Sequence, residues 1–250
     1  MKRRFVLTLM LALPLATLHA ELTKEQSGRI TKTVGQIIGQ IHYRQTQLND
    51  EISKHHLKNY LNALDFGHMI FLQSDVDSFE KLYATRLDDQ VRFGNLRPAH
   101  QIFQRYLERL AERQQMVTAL LKKPMDFSKQ ESFNPVRDEL PWPKSADEAN
   151  ELWRKRVKFE LLADRLTYAK DGEKPDAKKV EESNAKIQRR YERLLKTMKA
   201  YEEAEILELY LSSLTRAYDP HSDYMSPHET ENFKINSIDM QLTGIGAVLQ

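Results

Sequence analysis

Apolar residues recur with a helical period through most of the chain. Ile30, Val34, Ile37, Ile38 and Ile41 form a first stripe, interrupted by Gly35 and Gly39. Those glycines weaken a helix but admit a close neighbour. Asn49 or Asp50 is a candidate N-cap for a second helix carrying Ile52, Leu57, Leu61 and Leu64. Asp65-Phe66-Gly67-His68 breaks the period, and Met69 to Leu72 is short enough to be a buried extended segment. From a Ser74 cap, one continuous helix is predicted with Val76, Phe79, Leu82, Tyr83, Leu87 and Val91 near one face, ending at Gly94. Pro98 suits a first helical position and opens a long helix through Ile102, Phe103, Tyr106, Leu107, Leu110, Val117, Leu120 and Leu121.

Residues 123–145 hold Pro124, Pro135, Pro141 and Pro143, and read as a loop. Phe127, Phe133 and Trp142 within it predict that the loop packs against the body. Helices resume with Leu152, Trp153, Val157, Leu161, Leu162 and Leu166. After Asp171-Gly172 and Pro175 follow two stripes: Ile187, Tyr191, Leu194, Leu195 and Met198, then Leu207, Tyr210, Leu211, Leu214 and Tyr218. No repeat of fixed period stands out.

The last thirty residues change character. Pro220 disfavours helix at Asp219 and stops the stripe. Ser226-Pro227-His228-Glu229 has the form of an N-cap, a proline at the first position and a glutamate at the third, predicting a short helix to about Lys234. Ile238, Met240 and Leu242 then alternate with polar residues, the period of a strand, and Gly244 and Gly246 bracket Ile245. The sequence breaks off inside this strand, which leaves its backbone groups unpaired and points to a further domain beyond it.

Composition agrees with helices. Glycine and proline make up 17 of 250 residues, about 7% against a usual share near 12%. The mean hydropathy of -0.63 is polar, yet 40% of residues are hydrophobic, enough for a core. Cysteine is absent, which excludes disulfide scaffolds, Cys-ligated metal, a cysteine nucleophile and a lipoprotein anchor. Lys2, Arg3 and Arg4, the apolar run Phe5 to Leu18 and Ala20 have the form of an export signal over residues 1–20. Without those three cations the formal charge of +2 becomes -1, so no general attraction to nucleic acid or anionic membrane is expected.

Candidate chemistry is sparse. Ser78/Lys81 and Ser183/Lys186 have S-x-x-K spacing but lack the companion motifs of serine acyl enzymes, and ordinary helix surface explains both. Asp219, His221, Asp223, His228 and Glu229 match no zinc spacing and read as a structural turn. His55 and His56 are adjacent, so a surface pair is expected. Gly244-Ile245-Gly246 lacks the third glycine and the helix of a nucleotide loop. The basic run from Lys186 to Lys199 is interleaved with glutamates and reads as a solvated, ion-paired face. No catalytic group, metal or cofactor is assigned.

At Leu214 to Gln250 the sequence resembles the tail-specific protease group of C-terminal processing peptidases. The residues carrying this are Thr215-Arg216-Ala217-Tyr218-Asp219-Pro220-His221-Ser222-Asp223-Tyr224-Met225-Ser226-Pro227 and Leu242-Thr243-Gly244-Ile245-Gly246-Ala247-Val248-Leu249. Upstream, Leu64-Asp65-Phe66-Gly67-His68-Met69-Ile70-Phe71-Leu72-Gln73-Ser74-Asp75 is similar to the same group's N-terminal region. The resemblance implies a periplasmic serine endopeptidase in which a helical domain precedes a tail-capturing PDZ domain and a Ser–Lys dyad. It assigns a mainly α fold to residues 21–218 and makes 219–250 a turn, a short helix and a β segment leading into the PDZ domain. The dyad is expected outside this sequence, so the chain alone is expected to be inactive. Asp219, Pro220, His221, Tyr224, Ser226, Pro227, Gly244 and Gly246 are then structural motif residues.

The implied work of the helical part is scaffolding and substrate enclosure. Its implied partners are proteins with apolar C-terminal tails, met through the other domains, and a periplasmic adaptor lipoprotein as a candidate. No transmembrane anchor is expected after signal removal. The rival reading is a stand-alone exported helical adaptor or binding protein.

Overall fold

A computed structural model describes residues 22–168, 176–226, 229–230 and 233–234. The export-signal segment 1–20, the separator at 171–175 and the β segment from Ile238 onward lie outside these residues. Among the described residues there are eight helices and no strand. They are α1 (Lys24–Ile41), α2 (Asp50–Leu64), α3 (Gln73–Tyr83), α4 (Leu87–Phe93), α5 (Arg97–Leu121), α6 (Ala146–Arg165), α7 (Ala177–Lys199) and α8 (Glu203–Tyr218). The fold is mainly α, as expected. No helix among them is long and apolar enough to cross a membrane.

The centre is the pairing of α2 with α8. Ile52, Leu57, Tyr60 and Leu61 on α2 and Leu207, Tyr210, Leu211 and Leu214 on α8 are all buried there. Asn49 caps α2, its Oδ1 accepting from Glu51 N and Ile52 N at 3.1 and 3.0 Å. His56, expected on the surface, is fully buried in this seam. Its Nε2 lies 2.9 Å from the Tyr210 carbonyl and its ring 4.3 Å from the Tyr210 ring.

α1 differs from its predicted face. Ser27, Thr31, Gly35 and Ile38 are buried, whereas Ile37 and Ile41 are 51% and 75% exposed. The reason is close approach to α4. A Cβ on Gly28 would stand 2.8 Å from the Gly94 carbonyl oxygen, and one on Gly35 would stand 2.5 Å from Val91 Cγ1. Only small residues fit that contact; of the predicted stripe Ile38 is buried and Ile30 and Val34 pack half-buried against the core, while Ile37 and Ile41 turn outward. Gly94 ends α4 as predicted, at φ 67°, a left-handed cap.

The helix predicted from Ser74 to Gly94 is two helices. The Ser53 hydroxyl of α2 accepts from Leu87 N at 2.8 Å and donates to Tyr83 O at 3.3 Å, so it satisfies the end of α3 and the start of α4. Leu82, placed on the inner stripe by the unbroken helix, is 49% exposed. The cap also differs: α3 starts at Gln73, and Asp75 Oδ2 accepts from Leu72 N at 3.0 Å while Ser74 is exposed. Arg109 on α5 locks Asp75 with bonds of 2.7 and 3.1 Å.

Met69 to Leu72 is a buried non-helical segment, as predicted, and residues 65–68 turn into it with Phe66 exposed. Asp65 organises it: its carboxylate accepts from Met69 N, Ile70 N and Phe71 N at 2.9, 2.8 and 3.0 Å and from Trp142 Nε1 at 3.0 Å. His68 stacks on Trp142 at 3.6 Å, and Gln73 N donates to Pro143 O at 2.9 Å. The proline-rich loop is therefore strapped to the body, with Phe127, Phe133 and Trp142 packed against the core.

Candidate functional site: the segment leaving α8

Asp219 ends α8 in an extended conformation, φ -155° and ψ 133°, as a residue before proline should. Its Oδ1 accepts from His221 N at 2.8 Å, and Ser222 N donates back to Asp219 O at 3.0 Å, closing a turn around exposed Pro220 and His221. The other oxygen, Oδ2, accepts from the Tyr43 hydroxyl at 2.5 Å. The Tyr43 bond first, and the His221 N–H second, hold the Asp219 carboxyl below the usual range; the same bond raises the Tyr43 phenol.

The loop between α1 and α2 supplies further holds. Arg44 Nη1 donates to Tyr218 O at 2.5 Å, and His42 Nε2 lies 3.3 Å from Ser222 Oγ. The chain then runs back along α8. Thr215 Oγ1 reaches Ser222 O at 3.1 Å, Ser212 Oγ donates to Tyr224 O at 3.1 Å, and Arg216 pairs with Asp223 at 2.5 Å. Tyr224 packs half-buried against the core. Ser226 caps the next turn as predicted, its Oγ accepting from Glu229 N at 3.3 Å and its carbonyl from Thr230 N at 2.9 Å. Burial raises the Glu208 carboxyl beside it, offset in part by bonds from Ser226.

Asp219, Pro220, His221, Tyr224 and Ser226 thus belong to one continuous fastening; Pro227, Gly244 and Gly246 lie outside the described residues. Among those residues no group of three or more acidic or histidine ligands gathers, and Asp219 and Asp223 are engaged by Tyr43 and Arg216. The geometry positions a chain. Ser78 donates to Ser74 O at 2.7 Å on an exposed helix face. Ser183 departs from the surface expected of it: it is buried between α6 and α7 and donates to Asp164, which Lys186 also pairs at 2.5 Å. His42, Tyr43 and Arg44 escaped sequence reasoning. A polar, aromatic triplet just after an apolar stripe was their only signal, with nothing to link it to residues about 176 positions on.

The family model described as the tail specific protease N-terminal domain matches residues 34–228. The chain belongs to the tail-specific protease family. The tail-specific protease of Haemophilus influenzae is 34% identical over 226 residues, covering 90% of this chain. Those residues are 31% of the Haemophilus protein, so the chain spans about a third of that relative's length. The family match ends at residue 228, two residues beyond the Ser226 cap.

Proposed function

We propose that this chain is the scaffold part of a periplasmic serine endopeptidase that cleaves proteins after recognising apolar C-terminal tails. The helical domain holds the tail-binding and catalytic parts in register and walls in the substrate. The observation that carries this reading is the fastening of residues 218–224: six side chains, from Tyr43, Arg44, His42, Ser212, Thr215 and Arg216, fix the direction in which the chain leaves α8. A domain that merely preceded an enzyme would need no such control of its exit. The Ser–Lys dyad belongs to residues outside this sequence, and Ser78/Lys81 is not that dyad.

Two measurements test this. The intact mass of the endogenous protein in a periplasmic extract should lie well above 29.3 kDa; a mass slightly below that value would overturn the reading. In the complete gene product, the double variant Tyr43→Phe with Asp219→Ala should slow breakdown of a reporter ending in an apolar tail while far-UV circular dichroism stays unchanged. An unaltered rate would remove the positioning role.

A further inference from the structure

The outer face of α1 is bare of charge. Residues 33–43 contain no Lys, Arg, Asp or Glu, in a chain where these make up 30%. Ile30, Ile37 and Ile41 fall at i, i+7 and i+11, one line along the helix. Ile30 is half-buried, Ile37 and Ile41 are 51% and 75% exposed, and Tyr43 just beyond them is 73% exposed. A helix face covered by water alone is ordinarily polar. Aliphatic residues exposed singly need no explanation, but a neutral row ending in an aromatic ring has the composition of an interface core, where charged residues are depleted.

Where this row ends, the chain departs. His42, Tyr43 and Arg44 hold Ser222, Asp219 and the Tyr218 carbonyl, so the segment after α8 sets out from the last turn of α1. It then runs back along α8, the helix on which α1 also packs. Met225 and Phe233 on it are exposed as well. From Ser226, beside Glu208 of α8, to Ile238, where the alternating pattern begins, is twelve residues, at most about 43 Å of extended chain. α1 has 18 residues and is about 27 Å long, so whatever Ile238 opens can lie on it. A body large enough to cover the row has a counterpart in the Haemophilus relative, of which the matched residues are 31%.

We propose that the Ile30–Ile37–Ile41 face, with the Tyr43 ring, seats the following domain of the same polypeptide, the one expected to open at Ile238. The fastening of residues 218–224 aims the chain, and the neutral face receives what it carries. This inference rests on the scaffold reading and names the surface through which register is kept.

The test uses the complete gene product with the photo-crosslinker p-benzoylphenylalanine in place of Ile41. After irradiation, mass spectrometry of the digest should join position 41 to peptides from beyond residue 234 of the same chain. Adding Ile37→Lys, at a position outside the core of the helical domain, should cut the yield of that link fivefold or more while the far-UV spectrum stays unchanged. Links confined to a second copy or to another protein, no link at all, or a yield indifferent to Ile37→Lys would overturn the proposal. An intact mass slightly below 29.3 kDa would remove the scaffold reading and this one together, whereas a larger product without the link removes only this one.

Discussion

Acidification should loosen this domain through His56. The imidazole is fully buried and donates its Nε2 proton to the Tyr210 carbonyl, while Nδ1 has no partner among the described residues. A second proton would place an unpaired charge in the seam between α2 and α8. Burial accordingly pushes His56 down to about 4, with the Tyr210 carbonyl opposing, against an ordinary value near 6.5. The unfolded chain then binds more protons than the folded one between pH 6.5 and 4, so stability is fully present above that window and falls as pH falls through it. The full difference is about 3 kcal/mol, and the share lost between pH 7 and pH 5 is about 2 kcal/mol. Urea unfolding at the two pH values measures this directly. In His56→Leu the pH-dependent loss should shrink by about 2 kcal/mol, whatever the variant's starting stability. An identical pH dependence in wild type and variant, or an imidazole that titrates near 6.5 by NMR, would refute the argument.

Further outcomes follow from other buried contacts. Asp65→Ala strips an acceptor from three backbone N–H groups and the Trp142 indole, and should cost roughly 3–5 kcal/mol in urea unfolding. Ser53→Ala leaves Leu87 N buried without an acceptor; a loss of about 1–3 kcal/mol is expected, and a neutral result would show that α4 does not depend on that cap. Gly94→Ala meets both a left-handed φ of 67° and a carbonyl oxygen 2.3 Å from the new methyl, so thermal unfolding should show more than about 1 kcal/mol of destabilisation. Tyr43→Phe should leave the melting temperature unchanged but speed amide exchange at residues 219–224, because the Tyr43–Asp219 bond is a local fastening.

Local chemistry made some features legible and distance hid others. Gly94, Asn49, Ser226 and the proline-rich loop were readable because the residue that decides the structure sits where the structure changes. The break between α3 and α4 was not, since the deciding hydroxyl belongs to Ser53, about thirty residues upstream of Tyr83. His56 was placed on the surface because its partner, the Tyr210 carbonyl, lies 154 residues away. On α1 hydrophobicity misled: close contact between backbones buried Ser27, Thr31 and Gly35 and left Ile37 and Ile41 outside. The same limit applies to the fastening. Asp219-Pro220 announced the turn, but nothing near it named Tyr43 or Arg44.

The pairing of α2 with α8 also dictates the order in which the chain can mature. Ile52, His56 and Tyr60 find their cover in residues synthesised about 150 positions later. Until α8 is made, the part of α2 that pairs with it lacks that cover, although α3, α4 and α5 already pack on α2, and a product cut short in α7 would display that part to chaperones and proteases. The helix that completes the cover of α2 is thus the one whose end carries the Asp219 turn.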